Sequence, residues 1–411
     1  MFSENGKISE RQLRLMLVLP IFAGGVFVIP YLGAYFWKQS VLVGLLVFMF
    51  LALLYVSYLY EIPHWYMFWC RNRKLTKINE SEKKRKGIFR PISKSWQERM
   101  DKWIEPSFCV IQFVRNYIRL LFYLVLSLTI LQEAQVPFMR AEGNGSFLNR
   151  LILLPLLIVA VYGAKQSVKR SVGDKKVWFP GIEKQGRLQE MTIMAVLIPY
   201  LTILVFGISE AQGITFLPQL NRNIGEIVIC GYLLLTFLLP VENYVYLKPY
   251  VIKKKSPSSN EKKRTGYWCV LGMILFVILS SLLVIDIYGV NGAATEEMVT
   301  IGIMRYIRLP FGVLERFDVL MVWFLMSGCF ILICNTIYFA SIYLKRLLKN
   351  SWEKFVLPVV LVTSWLALQW LPDYKGILSW FLQYGAFVDV PLSLVLPYVG
   401  LHLIGGDTCD E

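Results

Sequence analysis

The sequence predicts an all-α polytopic membrane protein of about ten transmembrane helices in a five-plus-five inverted repeat, with helices one and six discontinuous. Three observations carry that expectation. Of 411 residues, 56% are hydrophobic and 17% are charged, where soluble domains carry about 45–50% and about 25%. The apolar residues gather in runs of roughly twenty, the length that crosses a 30 Å hydrocarbon core. Two of those runs, the first and the sixth, are interrupted by Pro, Gly or an acid.

Taken in order, the spans fall at about 12–36, 41–60, 107–131, 147–164, 190–208, 225–247, 267–288, 314–341, 355–371 and 377–404. The first follows Arg11 and Arg14 but is too long for a secretory signal and has no convincing small-residue cleavage site. The whole of 1–411 reads as one transmembrane domain, with residues 1–208 and 209–411 as its two five-helix halves. Of the 43 Lys and Arg, 33 fall at the N-terminus or in the segments between alternate spans, including basic loops at 71–102, 165–187 and 248–264. By the positive-inside rule those segments and both termini are cytoplasmic. The +15 net charge is therefore ascribed to loops facing anionic lipid, and no nucleic-acid partner is expected.

Catalytic chemistry has little to draw on. The only histidines, His64 and His402, lie near the ends of apolar runs, and the seven cysteines include no CxxC pair. Without a His or Cys cluster the sequence offers no metal site, no cofactor and no catalytic residues. A membrane-embedded acyltransferase, the enzyme class weighed, has too few acid–base groups.

The first interruption is Leu19-Pro20 through Pro30, with Ala23, Gly24, Gly25 and Val26 at mid-bilayer depth. Proline removes a donor and glycine tolerates an unwound turn. The second is Phe237-Leu238-Leu239-Pro240-Val241-Glu242. With five helices per half, the second half enters from the opposite side, and matching broken helices point to a midplane solute site. Close helix packing is the competing account of Gly24 and Gly25. An acid at the depth of Glu242 must pair, protonate or meet water, so Glu242 serves either a ligand ammonium or proton, or a buried contact to Arg115 or Arg119. Phe113 and Tyr117, with Gln112, can face the broken helices from span three.

Particular residues resemble a family. Ile8-Ser9-Glu10-Arg11-Gln12-Leu13, the Ala23-Gly24-Gly25 segment followed by Pro30, and Gly181-Ile182-Glu183 followed by Arg187 and Glu190 are similar to the B subunits of endospore germinant receptors. So are Leu217-Pro218, Pro240 with Glu242, Met304-Arg305-Tyr306-Ile307, Phe311 and Leu314-Glu315-Arg316-Phe317-Asp318. That family is a branch of the amino acid, polyamine and organocation transporter superfamily; its members often read Gly-x-Gly where this chain has Ala23-Gly24-Gly25. The resemblance implies a subunit that binds a small solute such as an amino acid, partners with A and C subunits, and resides in a bacterial cell membrane or spore inner membrane. An ion-coupled amino-acid permease is the alternative. Ligand-binding candidates are Ala23, Gly24, Gly25, Val26, Phe113, Tyr117, Phe237, Leu238, Leu239, Pro240 and Glu242. Arg187, Glu190, Arg305, Glu315, Arg316 and Asp318 are structural or gating candidates, read first as salt-bridged caps.

Overall fold

The computed structural model describes residues 7–84, 94–135, 145–164, 181–211, 213, 222–252, 259–296, 298–303, 317–348 and 355–405. Its helices are α1 (Glu10–Trp37), α2 (Val41–Lys84), α3 (Lys94–Gln135), α4 (Gly145–Ala164), α5 (Ile182–Gly207), α6 (Ile224–Leu234), α7 (Asn243–Leu247), α8 (Ser259–Tyr288), α9 (Val290–Thr295), α10 (Val299–Gly302), α11 (Phe317–Leu347), α12 (Val356–Trp370), α13 (Tyr374–Tyr384) and α14 (Val390–Gly405). A 3-10 segment, Leu235–Glu242, joins α6 to α7, and a π-helical segment, Gly385–Asp389, joins α13 to α14.

Among the described residues, seven helical stretches are long and apolar enough to cross a membrane, which makes the chain an integral membrane protein. This corrects the expected ten spans, and seven do not divide into two sets of five. The first two expected spans lie in one 54-residue stretch, Glu10–Pro63. A 3-10 turn and a positive φ of 49° at Lys38 bend it. A Cβ on Gly44 would overlap the Trp37 ring, although seven residues of straight helix separate α-carbons by about 10.5 Å. The fourth and ninth expected spans correspond to the shorter apolar helices Leu153–Tyr162 and Val356–Trp370.

Helix α1 is also continuous, correcting the expected break at Ala23-Gly24-Gly25. Packing explains it. The helix is buried almost throughout, with α8 and α11 against it: a Cβ at Gly25 would meet Val277 Cγ1 at 2.8 Å, and one at Gly328 would meet Phe27 Cζ at 2.9 Å and Ala23 Cβ at 3.3 Å. Where neighbours approach so closely, a glycine serves helix contact rather than unwinding. The sixth stretch does change geometry, because Pro240 has no N–H to give an α-helical bond and the chain tightens over eight residues, longer than the usual 3-10 run.

The core is aromatic as well as aliphatic. Tyr200 of α5 stacks on Phe324 of α11 and meets Phe22 of α1 edge-on, at ring separations of 5.3 and 5.2 Å. The basic ends of the helices are tied together. Ser9 and Gln12 form a reciprocal cap on α1, and Ile8 makes a parallel bridge to Val251: Ile8 N–H donates to Tyr250 O and Ile252 N–H to Ile8 O, both at 3.0 Å. Arg11 reaches Glu190 of α5 at 3.7 Å, and Arg346 at the end of α11 reaches Glu105 near the start of α3 at 3.3 Å. Two of the expected basic loops prove helical in part: α2 runs on to Lys84 and α3 begins at Lys94, while α8 begins at Ser259. Lys, Arg and Glu are good helix formers, so the helices continue past the apolar stretches.

Candidate functional site

Gln112, Arg115, Asn116 and Arg119 recur along α3 at intervals of three and four residues, which places them on one face of the helix. All four are buried. Two irregular helical segments bring acids to that face. Glu242 is the last residue of the 3-10 segment, and Asp389 is the last of the π-helical one. The second irregularity has a local cause: Pro391, two residues on, has no N–H to donate, and its ring would crowd the carbonyl four residues back.

The four charged groups form one cluster. Arg115 Nη2 donates to Glu242 Oε2 at 2.9 Å, and Arg115 Nε donates to Asp389 Oδ1. Arg119 donates through Nε to Asp389 Oδ2 at 3.1 Å and through Nη2 to Oδ1 and Oδ2 at 3.1 and 3.0 Å, while its Nη1 stands 3.7 Å from Glu242 Oε1. Gln112 extends the network, accepting from Arg115 Nη1 at 3.4 Å and donating to the Tyr246 hydroxyl at 3.0 Å. Arg115 and Glu242 are each 1% exposed, Arg119 3% and Asp389 0%.

Two cations and two anions leave no net charge, which is how four ions persist inside the membrane stretch. The guanidinium forks hold the carboxylates by paired, charge-assisted bonds. Chemically the cluster offers both signs at one place: a carboxylate that enters can take an arginine from Glu242 or Asp389, and an ammonium can take the acid so released. The hydroxyl of Tyr343, within electrostatic reach of Glu242 and Arg115, is buried with no hydrogen-bond partner among the described residues, and so is Thr236 Oγ1.

The sequence-derived candidates take several places. Glu242 is in the cluster. Phe237 anchors the 3-10 segment against the stacked pair of Phe122 of α3 and Phe381 of α13, each 6.0 Å away, and Leu238, Leu239 and Pro240 are buried beside it. Phe113 and Tyr117 are half-buried and stack on each other at 5.7 Å. On α1, Ala23 faces Gly328, Gly25 faces Val277, and Val26 O accepts from Thr300 Oγ1 at 2.8 Å. Gly24 differs from its neighbours: it is buried, yet a Cβ there would meet nothing within 4 Å. Arg187 pairs with Glu183 one turn back at 2.5 Å, and Glu190 accepts from Gln12 Nε2 at 3.3 Å. Arg305, Glu315 and Arg316, and the side chain of Asp318, lie outside the described residues.

Asp389 is the residue of the cluster that the sequence reading passed over. The signal was available, since it stands as a lone carboxylate in the apolar run Ala386-Phe387-Val388-Asp389-Val390, the same kind of feature that singled out Glu242.

No curated protein matches the chain. Residues 177–372 match a family model described as spore germination protein, a stretch that holds α5 through α12 and Glu242 but neither arginine of the cluster nor Asp389, and over that stretch the chain is similar to the spore germination permeases.

Proposed function

We propose that this protein is a transporter-like germinant receptor subunit that binds a zwitterionic amino acid in the membrane, working with A-type and C-type partner subunits to trigger spore germination. The observation that carries the ligand is the buried cluster of Arg115, Arg119, Glu242 and Asp389. An α-carboxylate and an α-ammonium can exchange into it without leaving net charge in the hydrocarbon. The open space beside buried Gly24 is on α1, which packs against the 3-10 segment that carries Glu242. The match to spore germination proteins supports the physiological setting. The excess of basic residues at the tied helix ends supports a cytoplasmic N-terminus.

The test is equilibrium binding of a labelled amino-acid panel to the purified full-length protein, alone and with its partner subunits. Saturable binding of one or a few amino acids is expected. Arg119→Lys should weaken it about tenfold at unchanged membrane abundance, because lysine keeps the charge but not the two-pronged grip on a carboxylate. Absence of binding by any amino acid in the assembled complex overturns the ligand. Gradient-driven uptake of the bound amino acid into proteoliposomes would make the subunit a permease rather than a sensor.

A further inference from the structure

A second polar centre lies between α5 and α11, apart from the ion cluster. Gln185 and Gln189 are one helical turn apart on α5, so both project toward the same neighbour. Each donates through Nε2 to a single acceptor, Asn335 Oδ1 of α11, at 2.7 Å. Gln185 is 1% exposed and Gln189 0%, while Asn335 keeps 8%.

The arrangement is one-sided. A carbonyl oxygen has two lone pairs, and Asn335 Oδ1 spends both on the two glutamines. Since that oxygen only accepts, each glutamine must present its NH2 to it and turn its own carbonyl away. Gln185 Oε1 and Gln189 Oε1 are accordingly buried without a hydrogen-bond partner. Buried acceptors in native proteins are nearly always paired. Within this trio the unpaired buried atoms are acceptors only, so what complements them is a cation or a donor. The adjacent thiol, Cys334, is turned to Ala160 O and takes no part. Next to Gln189 in sequence, Glu190 sits at the basic helix end, where it accepts from Gln12 and pairs with Arg11.

We propose that Gln185 Oε1 and Gln189 Oε1, held in register by Asn335, are ligands of a monovalent alkali cation, sodium or potassium. Amide oxygens suit hard cations. A site without a carboxylate ligand does not offset a divalent charge. The site binds α5 to α11 and is separate from the amino-acid reading of the ion cluster, so either can fail without the other.

Thermal unfolding of the full-length protein in detergent, with no amino acid present, tests it. At constant ionic strength, NaCl or KCl should raise the midpoint saturably over choline chloride, and the more effective salt identifies the ion. Gln189→Leu should remove that cation-dependent rise. Asn335→Asp keeps an acceptor for both glutamines and adds a negative charge, so the half-saturating concentration should fall about tenfold. If Gln189→Leu does not fold, the wild-type salt series and Asn335→Asp still decide. Equal stabilisation by choline, or an unchanged half-saturation in Asn335→Asp, overturns the site in favour of a bound water. A rise that follows the anion, chloride against gluconate, overturns it by showing that the amides present N–H groups.

Discussion

Asp389 contributes more bonds to the buried cluster than Glu242 does, because it receives both arginines through close contacts while Glu242 has one close bond to Arg115 and a 3.7 Å approach from Arg119. Removing one partner of a buried pair leaves an uncompensated charge, a loss of about 3–5 kcal/mol in soluble proteins. Asp389→Asn should therefore lower membrane abundance and unfolding temperature more than Glu242→Gln. The double variant Glu242→Gln with Arg119→Gln restores neutrality and should recover much of what either single change loses. Strictly additive losses would show that the four groups are not one electrostatic unit. At this scale the sequence was half legible. Glu242 announced itself by its depth, and Arg115 and Arg119 were recognisable as groups that must pair. A contact of Glu242 to Arg115 or Arg119 was one of the two readings; that Asp389 completes the cluster was not foreseen, since it depends on a segment about 270 residues further along the chain meeting the same face of α3.

Both acids of the cluster sit at the ends of irregular helical segments, and those segments touch. A Cβ on Gly385 would overlap Thr236 Oγ1 and Cγ2, so the π-helical and 3-10 segments approach through a missing side chain. Gly385→Ala should force them apart and disturb the cluster they present, with a sharp loss of folded protein, and Thr236→Ala should rescue part of it. A tolerated Gly385→Ala would mean that the two segments do not meet. The same reasoning reorders the α1 glycines. Gly25→Ala meets Val277 Cγ1 at 2.8 Å and should cost stability that Val277→Ala returns, whereas Gly24→Ala meets nothing within 4 Å and should fold normally. Any loss of ligand response in Gly24→Ala is then a loss at the site and not of packing, which binding measured beside membrane abundance will show. Element by element, apolar length overcounted the spans, ten against seven stretches among the described residues, because it does not register where one helical stretch runs on into the next. It overread Gly and Pro in α1, where contacts from α8 and α11 keep the helix whole, and it could not see helices running on into charged segments such as Val41–Lys84.

For the whole molecule, the most informative contact joins residues 8 and 251. Two backbone hydrogen bonds of 3.0 Å hold the strand-like residue before α1 beside the residue that follows the 224–250 stretch. Whatever path the intervening chain takes, Ile8 and Val251 must therefore lie on one side of the membrane. Contact and charge agree here: Lys7, Arg11 and Arg14 stand at one partner of the bridge, and Lys248 stands at the other. The orientation proposed above from the positive-inside rule puts that common side in the cytoplasm. Reporter fusions at the N-terminus and after Lys254 should both read cytoplasmic. Readings on opposite sides would break the bridge between Ile8 and Val251. Two external readings would keep the bridge and overturn the charge argument. Substituting Ile8→Pro removes the N–H that Tyr250 O accepts and should loosen the junction without altering insertion, which protease accessibility of the segment after Ile252 in intact inverted vesicles would report as faster cleavage.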